Sequence, residues 1–204
     1  MAIISNAVTI ADAGAFSASL GSMVLIKTLT ASSSANLTFV HGASSVVLDS
    51  TYPIYKFEYT SVHPATDSTN FQVNFRDGGT AYDAPKTSTH FRVVHDEADS
   101  STAVQYDGAL HLAQGTGVQP LTENTGNGND ESCSGYFYLF NPSSTTFVKN
   151  YLAIANVYQG SSYSIGHHIA GYCNVTAAID GVQFSFASGN IDAGTIKLYG
   201  IKDS

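Results

Sequence analysis

Ile54-Tyr55-Lys56-Phe57-Glu58-Tyr59 is the stretch that decides the fold. Side chains alternate across a strand, so Ile54, Lys56 and Glu58 share one side and Tyr55, Phe57 and Tyr59 the other. The first side is mixed and suits solvent. The second is wholly aromatic and suits a core. A helix would scatter both sets around its axis.

The same texture runs outward in both directions. Short runs rich in β-branched and aromatic residues follow one another: MVLIKTL, NLTFVH, SVVL, IYKFEYTSV, FQVNF, THFRVVH, GYFYLF, TFVKNYLAIANVY, SYSIGHHIAGY, VQFSF and TIKLYGI. Turn formers separate them, among them Thr66-Asp67-Ser68, Asp77-Gly78-Gly79, Asn141-Pro142-Ser143-Ser144 and Ser188-Gly189-Asn190. Many short strands at such intervals predict an all-β antiparallel sandwich or barrel. GYFYLF is apolar on both sides, which predicts a central strand covered on both faces. Thr145–Tyr158 is long enough for a helix, but its Thr, Phe, Val and Tyr favour strand. Only Thr102–Ala113 is expected to carry a helical turn, broken at Tyr106-Asp107-Gly108.

The final run predicts a last strand inside the sheet, with Ile196 and Leu198 on one face and Lys197, Tyr199 and Ile201 on the other. Residues 1–21 are small and weakly patterned around Ile3, Ile4, Val8, Ile10, Phe16 and Leu20. They are expected to form an N-terminal arm docking on a neighbour, or a first strand. Residues 22–204 are expected to form the sandwich domain.

At 204 residues the chain can bury a core without a disulfide or metal staple. Charged residues are only 12%, against about 25% in typical domains. Ser, Thr, Asn and Gly take their place, giving a polar but weakly ionic surface. The net charge is −8, with eight thinly spread Lys and Arg. Nucleic acids and anionic membranes need clustered cations, so neither is expected as a partner. The start, MAIISNAVTIADAG, lacks a basic n-region and a long apolar run, and Met23–Leu29 is too short to span a bilayer. The expectation is a chain made in a cytoplasm. Cys133 and Cys173 form no CxxC and are read as two reduced thiols.

Tempting motifs carry little chemistry. Asp96-Glu97-Ala98-Asp99 spells a helicase acidic box, but no phosphate-cradling loop accompanies it, so it reads as a charged loop. His90 and His95 are oddly spaced and point to opposite faces of a strand, as do His167 and His168, so no metal ligation is expected. Glu123–Glu131 (ENTGNGNDE) is oxygen-rich but departs from the calcium-loop pattern, and reads first as a mobile, Gly-loosened surface loop. No G-x-S-x-G occurs, and neither cysteine has a protease signature. Asn36-Leu37-Thr38 and Asn174-Val175-Thr176 are sequons without a secretion signal. No catalytic residue and no cofactor is expected. Twelve tyrosines without tryptophan favour protein interfaces over sugar platforms.

Two stretches carry a resemblance. They are His63–Phe75 with Asp77-Gly78-Gly79, and Ser188-Gly189-Asn190-Ile191-Asp192-Ala193-Gly194-Thr195-Ile196-Lys197-Leu198-Tyr199-Gly200-Ile201. Leu139–Thr146 adds to them. They resemble virion surface proteins of tailed, marine and cyanobacterial bacteriophages, in which an SGNxxxGTIxLYGI ending closes a β-sandwich module of jelly-roll type. The resemblance implies a non-enzymatic virion structural protein, either capsid decoration or a head-fibre component. Its expected partners are copies of itself, as a homotrimer, and the major capsid or other virion proteins. The alternative is a tail-fibre or receptor-binding module gripping a host surface glycan through loops near Tyr158, Tyr163 and His167.

Overall fold

The computed structural model describes residues 3–5, 8–12, 15–16 and 22–202. Within the first stretch, β1 (Ile3–Ser5), β2 (Val8–Asp12) and β3 (Ala15–Phe16) pair antiparallel in a small sheet. The expected arm falls on this segment, and its remaining positions, Leu20 included, lie outside the described residues.

From Met23 onward the chain is all-β, with strands β4 (Met23–Thr30), β5 (Leu37–Val40), β6 (Ile54–Pro64), β7 (Phe71–Arg76) and β8 (Lys86–Asp96). They are followed by β9 (Thr102–Tyr106), β10 (Gln119–Pro120), β11 (Cys133–Phe140), β12 (Lys149–Gln159), β13 (Tyr163–Cys173), β14 (Gly181–Phe186) and β15 (Ile191–Ile201). Two antiparallel sheets result. A four-stranded one runs β10-β7-β14-β5, and an eight-stranded one runs β4-β15-β6-β11-β12-β13-β8-β9.

The alternation in Ile54–Tyr59 is realised. Tyr55, Phe57 and Tyr59 are buried, while Ile54, Lys56 and Glu58 are only partly covered. Phe57 sits where the sheets meet. Its ring lies 5.3 Å from Phe39 and 5.5 Å from Phe184 on the small sheet, and 6.0 Å from Phe137 beside it. Phe71 stacks on Phe184 at 5.8 Å, and Phe75 packs on Phe137 and Tyr151. Rings therefore interlock from both inner faces in edge-to-face, tilted and offset-stacked pairs, the geometries that aromatic quadrupoles favour over a face-to-face sandwich. Close passage sets one residue choice. Tyr59 reaches across β11 to donate to the Ile154 carbonyl at 3.1 Å, and a Cβ on Gly135 would stand 2.8 Å from its hydroxyl and 2.2 Å from that carbonyl.

The last run is internal, as its pattern predicts. β15 lies between β4 and β6, with Ile196 and Leu198 fully buried. The Ser188–Gly194 motif shapes its approach. Asn190 donates from Nδ2 to the Ser33 carbonyl at 2.9 Å, and Gly194 takes φ +112° at a register shift. A Cβ there would meet Ser61 O at 2.6 Å, so only glycine suits the position.

Three expectations are corrected. SVVL joins no sheet; Val46 and Leu48 enter the core from an irregular segment. Thr102–Tyr106 is the edge strand β9, and only residues 108–110 make a turn. β11 is central in its sheet but covered on one face, with Tyr136, Tyr138 and Phe140 half-exposed on the other. Apolar content on both sides marked an outer face that carries aromatics. Within Glu123–Glu131, Thr125 is tied down: its N–H and O pair with Thr69, and it also bridges to Gln159.

Replacing Phe57 with Ala removes the ring that touches both sheets. Truncations of this kind cost about 3–5 kcal/mol, and a chemical-denaturation midpoint measured on the purified variant should fall accordingly, with strand content by circular dichroism retained.

Candidate functional site

The strands define two ends. Residues 22 and 202 meet at one end, where the Lys202 N–H donates to Ser22 O at 2.8 Å. The opposite end gathers the connections around residues 31–36, 65–70, 97–101, 122–132, 159–162 and 187–190. This end carries Asp67, Asp96, Glu97, Asp99, Glu123, Asp130, Glu131 and Asp192; its connections hold no Lys or Arg of their own, and Arg92 of β8 reaches Glu123. Several of these carboxylates serve the loops themselves. Asp96 accepts from Ser100 and Ser101, and the Ser100 hydroxyl foremost holds its carboxyl below the usual range. Glu131 accepts the Gly128 N–H at 2.6 Å, and Asp67 accepts that of Asn127. Within ENTGNGNDE, Glu131 thus turns onto the loop's own backbone and Glu123 onto Arg92.

Tyr158 and Tyr163 flank the tight turn between β12 and β13, where Gln159 pairs with Tyr163. They open onto different clefts beside Asp96-Glu97. Tyr158 lines one of about 240 Å³ with His95, Asn156 and Ser164. Tyr163 lines another of about 370 Å³ with Ser161 and Ser162. Both are hydroxyl- and carboxylate-lined, and so chemically suited to polyhydroxylated or cationic groups. His167 does not join them. It is fully buried, with its ring in contact with His90.

The histidines separate by face as their spacing predicts. His90 is buried and His95 exposed; His167 is buried, while His168 stacks flat on Phe91 at 4.7 Å on the outer side. Among the described residues, no three His, Cys, Asp or Glu side chains are placed to hold a metal ion. The sequence gives no sign that His90 and His167 meet, because they lie 77 positions apart on β8 and β13. His90 Nε2 and His167 Nδ1 are 2.9 Å apart, and His167 Nε2 faces the Glu123 N–H at 3.2 Å. An N–H pointing at Nε2 requires an acceptor there. In neutral His167 the proton then sits on Nδ1 and is donated to His90, whose own proton sits on Nδ1. Burial lowers the pKa of His90 to about 4 and of His167 to about 3, with Asp107 partly opposing the shift at His90 and Arg92 adding to both. Nearby, Arg92 pairs with Glu123 and Asp107.

Two buried lysines were equally invisible in the sequence. Lys149 and Lys86 flank Cys173 on neighbouring strands. Lys149 donates to the carbonyls of Val175, Thr176 and Ala177. Lys86 donates to Asn74 Oδ1 and Ala84 O, both at 2.6 Å. Burial lowers both ammonium groups, Lys86 to about 8. Cys133 and Cys173 are free, buried thiols, and burial raises both, Cys173 to about 12. Neither is a nucleophile at neutral pH.

Comparison with protein-family models, curated proteins and solved structures found no match.

The neutral histidine pair has a pH signature. Unfolded imidazoles titrate near 6.5, above the folded values of about 4 and about 3, so the pair's stability is complete above pH 6.5 and lost as pH falls through that window. Urea midpoints should therefore drop between pH 6.5 and about 4, and a His90→Gln/His167→Gln variant should show a flatter profile there.

Proposed function

We propose that this chain is a non-enzymatic structural protein of a tailed-phage virion, decorating the capsid or forming part of a head fibre. It assembles with copies of itself as a trimer and seats on shell proteins. Its place is the virion, assembled in the host bacterial cytoplasm.

The observation that carries this reading is the outer face of the eight-stranded sheet. Cross-strand register sets Tyr136 beside Ile154, Ile154 beside His168, His168 beside Phe91 and Phe91 beside Tyr106. This row spans five strands, about 20 Å at the usual strand spacing. A parallel row brings Tyr138 beside Leu152. Leu152 and Phe91 in these rows are 48% and 43% exposed, while Met23 and Leu25, 46% and 53% exposed on the edge strand β4, are set apart from them by Lys56, Glu58 and Lys197. A broad apolar and aromatic face on a weakly charged protein suits protein association.

Strand order supports the jelly-roll form of the proposal. The small sheet β5-β14-β7-β10 and the large sheet are filled by a chain that crosses between them at β4→β5, β5→β6, β6→β7, β7→β8, β9→β10, β10→β11, β13→β14 and β14→β15. A double-sheet jelly roll alternates in this way. The β11-β12-β13 meander occupies the slot of one strand. Because the chain enters at the end opposite the acidic loops, an arm on the shell would leave those loops pointing outward.

That polarity also favours a second reading: a receptor-binding module that meets a host glycan at the Tyr158 and Tyr163 clefts. Copy number separates the two. Quantitative mass spectrometry of purified virions should find hundreds of copies per particle for decoration; a few dozen or fewer would assign the protein to the tail. In isolation the chain should sediment as a trimer, and Phe91→Glu/Ile154→Glu should yield a folded monomer. A wild-type monomer at high concentration would remove the self-assembly reading.

A further inference from the structure

Lys86 and Asn74 meet deep between the sheets, 0% and 8% exposed. Lys86 opens β8 in the large sheet, and Asn74 lies on β7 in the small one. The Ala84 N–H donates to Phe75 O at 3.1 Å and holds the two segments in register. We propose that Lys86 and Asn74 form an intramolecular isopeptide cross-link between the two sheets, releasing ammonia. This inference stands apart from the virion reading.

Four features fit the chemistry. The nucleophile is held beside the amide: Nζ donates to Oδ1 at 2.6 Å, so the fold has already brought amine and side-chain amide together, which makes the reaction intramolecular. The carbonyl is polarised, since Oδ1 also accepts the Phe75 N–H at 3.0 Å, a donor placed where negative charge would develop. The leaving group is oriented, with Nδ2 directed at Thr116 O. Finally, the amine is available. Nζ contacts neutral oxygens and lies over the Phe75 ring at 5.7 Å, and desolvation pushes its pKa down to about 8. Asp83 and Asp77, on the β7–β8 connection, oppose this shift by their charge, and above that pKa the ammonium proton passes to base in the solvent.

The step balances without an oxidant. The ammonium first loses a proton. The Nζ lone pair attacks Cγ, and the carbonyl π pair moves onto Oδ1. Collapse reforms the carbonyl and breaks Cγ–Nδ2. One Nζ proton passes to the departing nitrogen, which leaves as ammonia, and a secondary amide remains. Lys149 is the internal contrast. It is as buried, but its donors meet only backbone carbonyls, so no side-chain amide is in place to be attacked.

The test is mass spectrometry of the full chain, held folded above the pKa of Lys86, then denatured and digested with trypsin. Acylation blocks cleavage after Lys86, so the cross-link yields a branched species joining residues 57–76 to residues 77–92, lighter than their sum by one ammonia. Lys86→Arg should give linear peptides only. Full-mass linear peptides from the wild type would overturn the proposal. So would an ammonia loss confined to a linear 57–76 peptide, which marks succinimide formation at Asn74, or a loss that persists in Lys86→Arg.

Discussion

The interlock of aromatic rings between the two sheets is the constraint on which the structure depends. Phe57, Phe137 and Tyr151 from the large sheet mesh with Phe39, Phe71, Phe75 and Phe184 from the small one. With 12% charged residues, the protein has few ion pairs to contribute, and exposed pairs add little in any case. Burial of these rings supplies the driving force, and their geometry fixes how the sheets face each other. Gly135 follows from it, because β11 must let the Tyr59 ring pass.

Polar groups inside this frame are confined and matched. The His90–His167 pair remains neutral because two adjacent charges cannot be solvated there. The buried lysines are surrounded by carbonyl and amide oxygens, which satisfy donors without supplying a countercharge. These groups stand on β8, β12 and β13, beneath the strands whose outward residues build the apolar row. The same three strands therefore carry the buried polar clusters on one face and much of the proposed assembly surface on the other.

The run from Ser188 to Ile201 does conformational work. Asn190 ties the turn to Ser33, Gly194 permits the bulge, and Ile196 and Leu198 enter the core. None of these side chains faces a cleft described above. This run therefore bears on how the sheet is closed.

Side-chain alternation was enough to establish the all-β class and most strands. Period-two alternation of bulky apolar residues is local, and it placed Tyr55, Phe57, Tyr59, Ile196 and Leu198 on the inner face and split His90 from His95. It misjudged SVVL and Thr102–Tyr106, where joining a sheet depends on an available neighbour rather than on the residues themselves. Tertiary structure alone decided which distant residues meet: His90 with His167, Lys86 with Asn74, and the row from Tyr136 to Tyr106. It also took His167 away from Tyr158 and Tyr163 by burying it. Register and sheet order set these encounters, and both arise from long-range pairing that a local pattern of side chains does not encode.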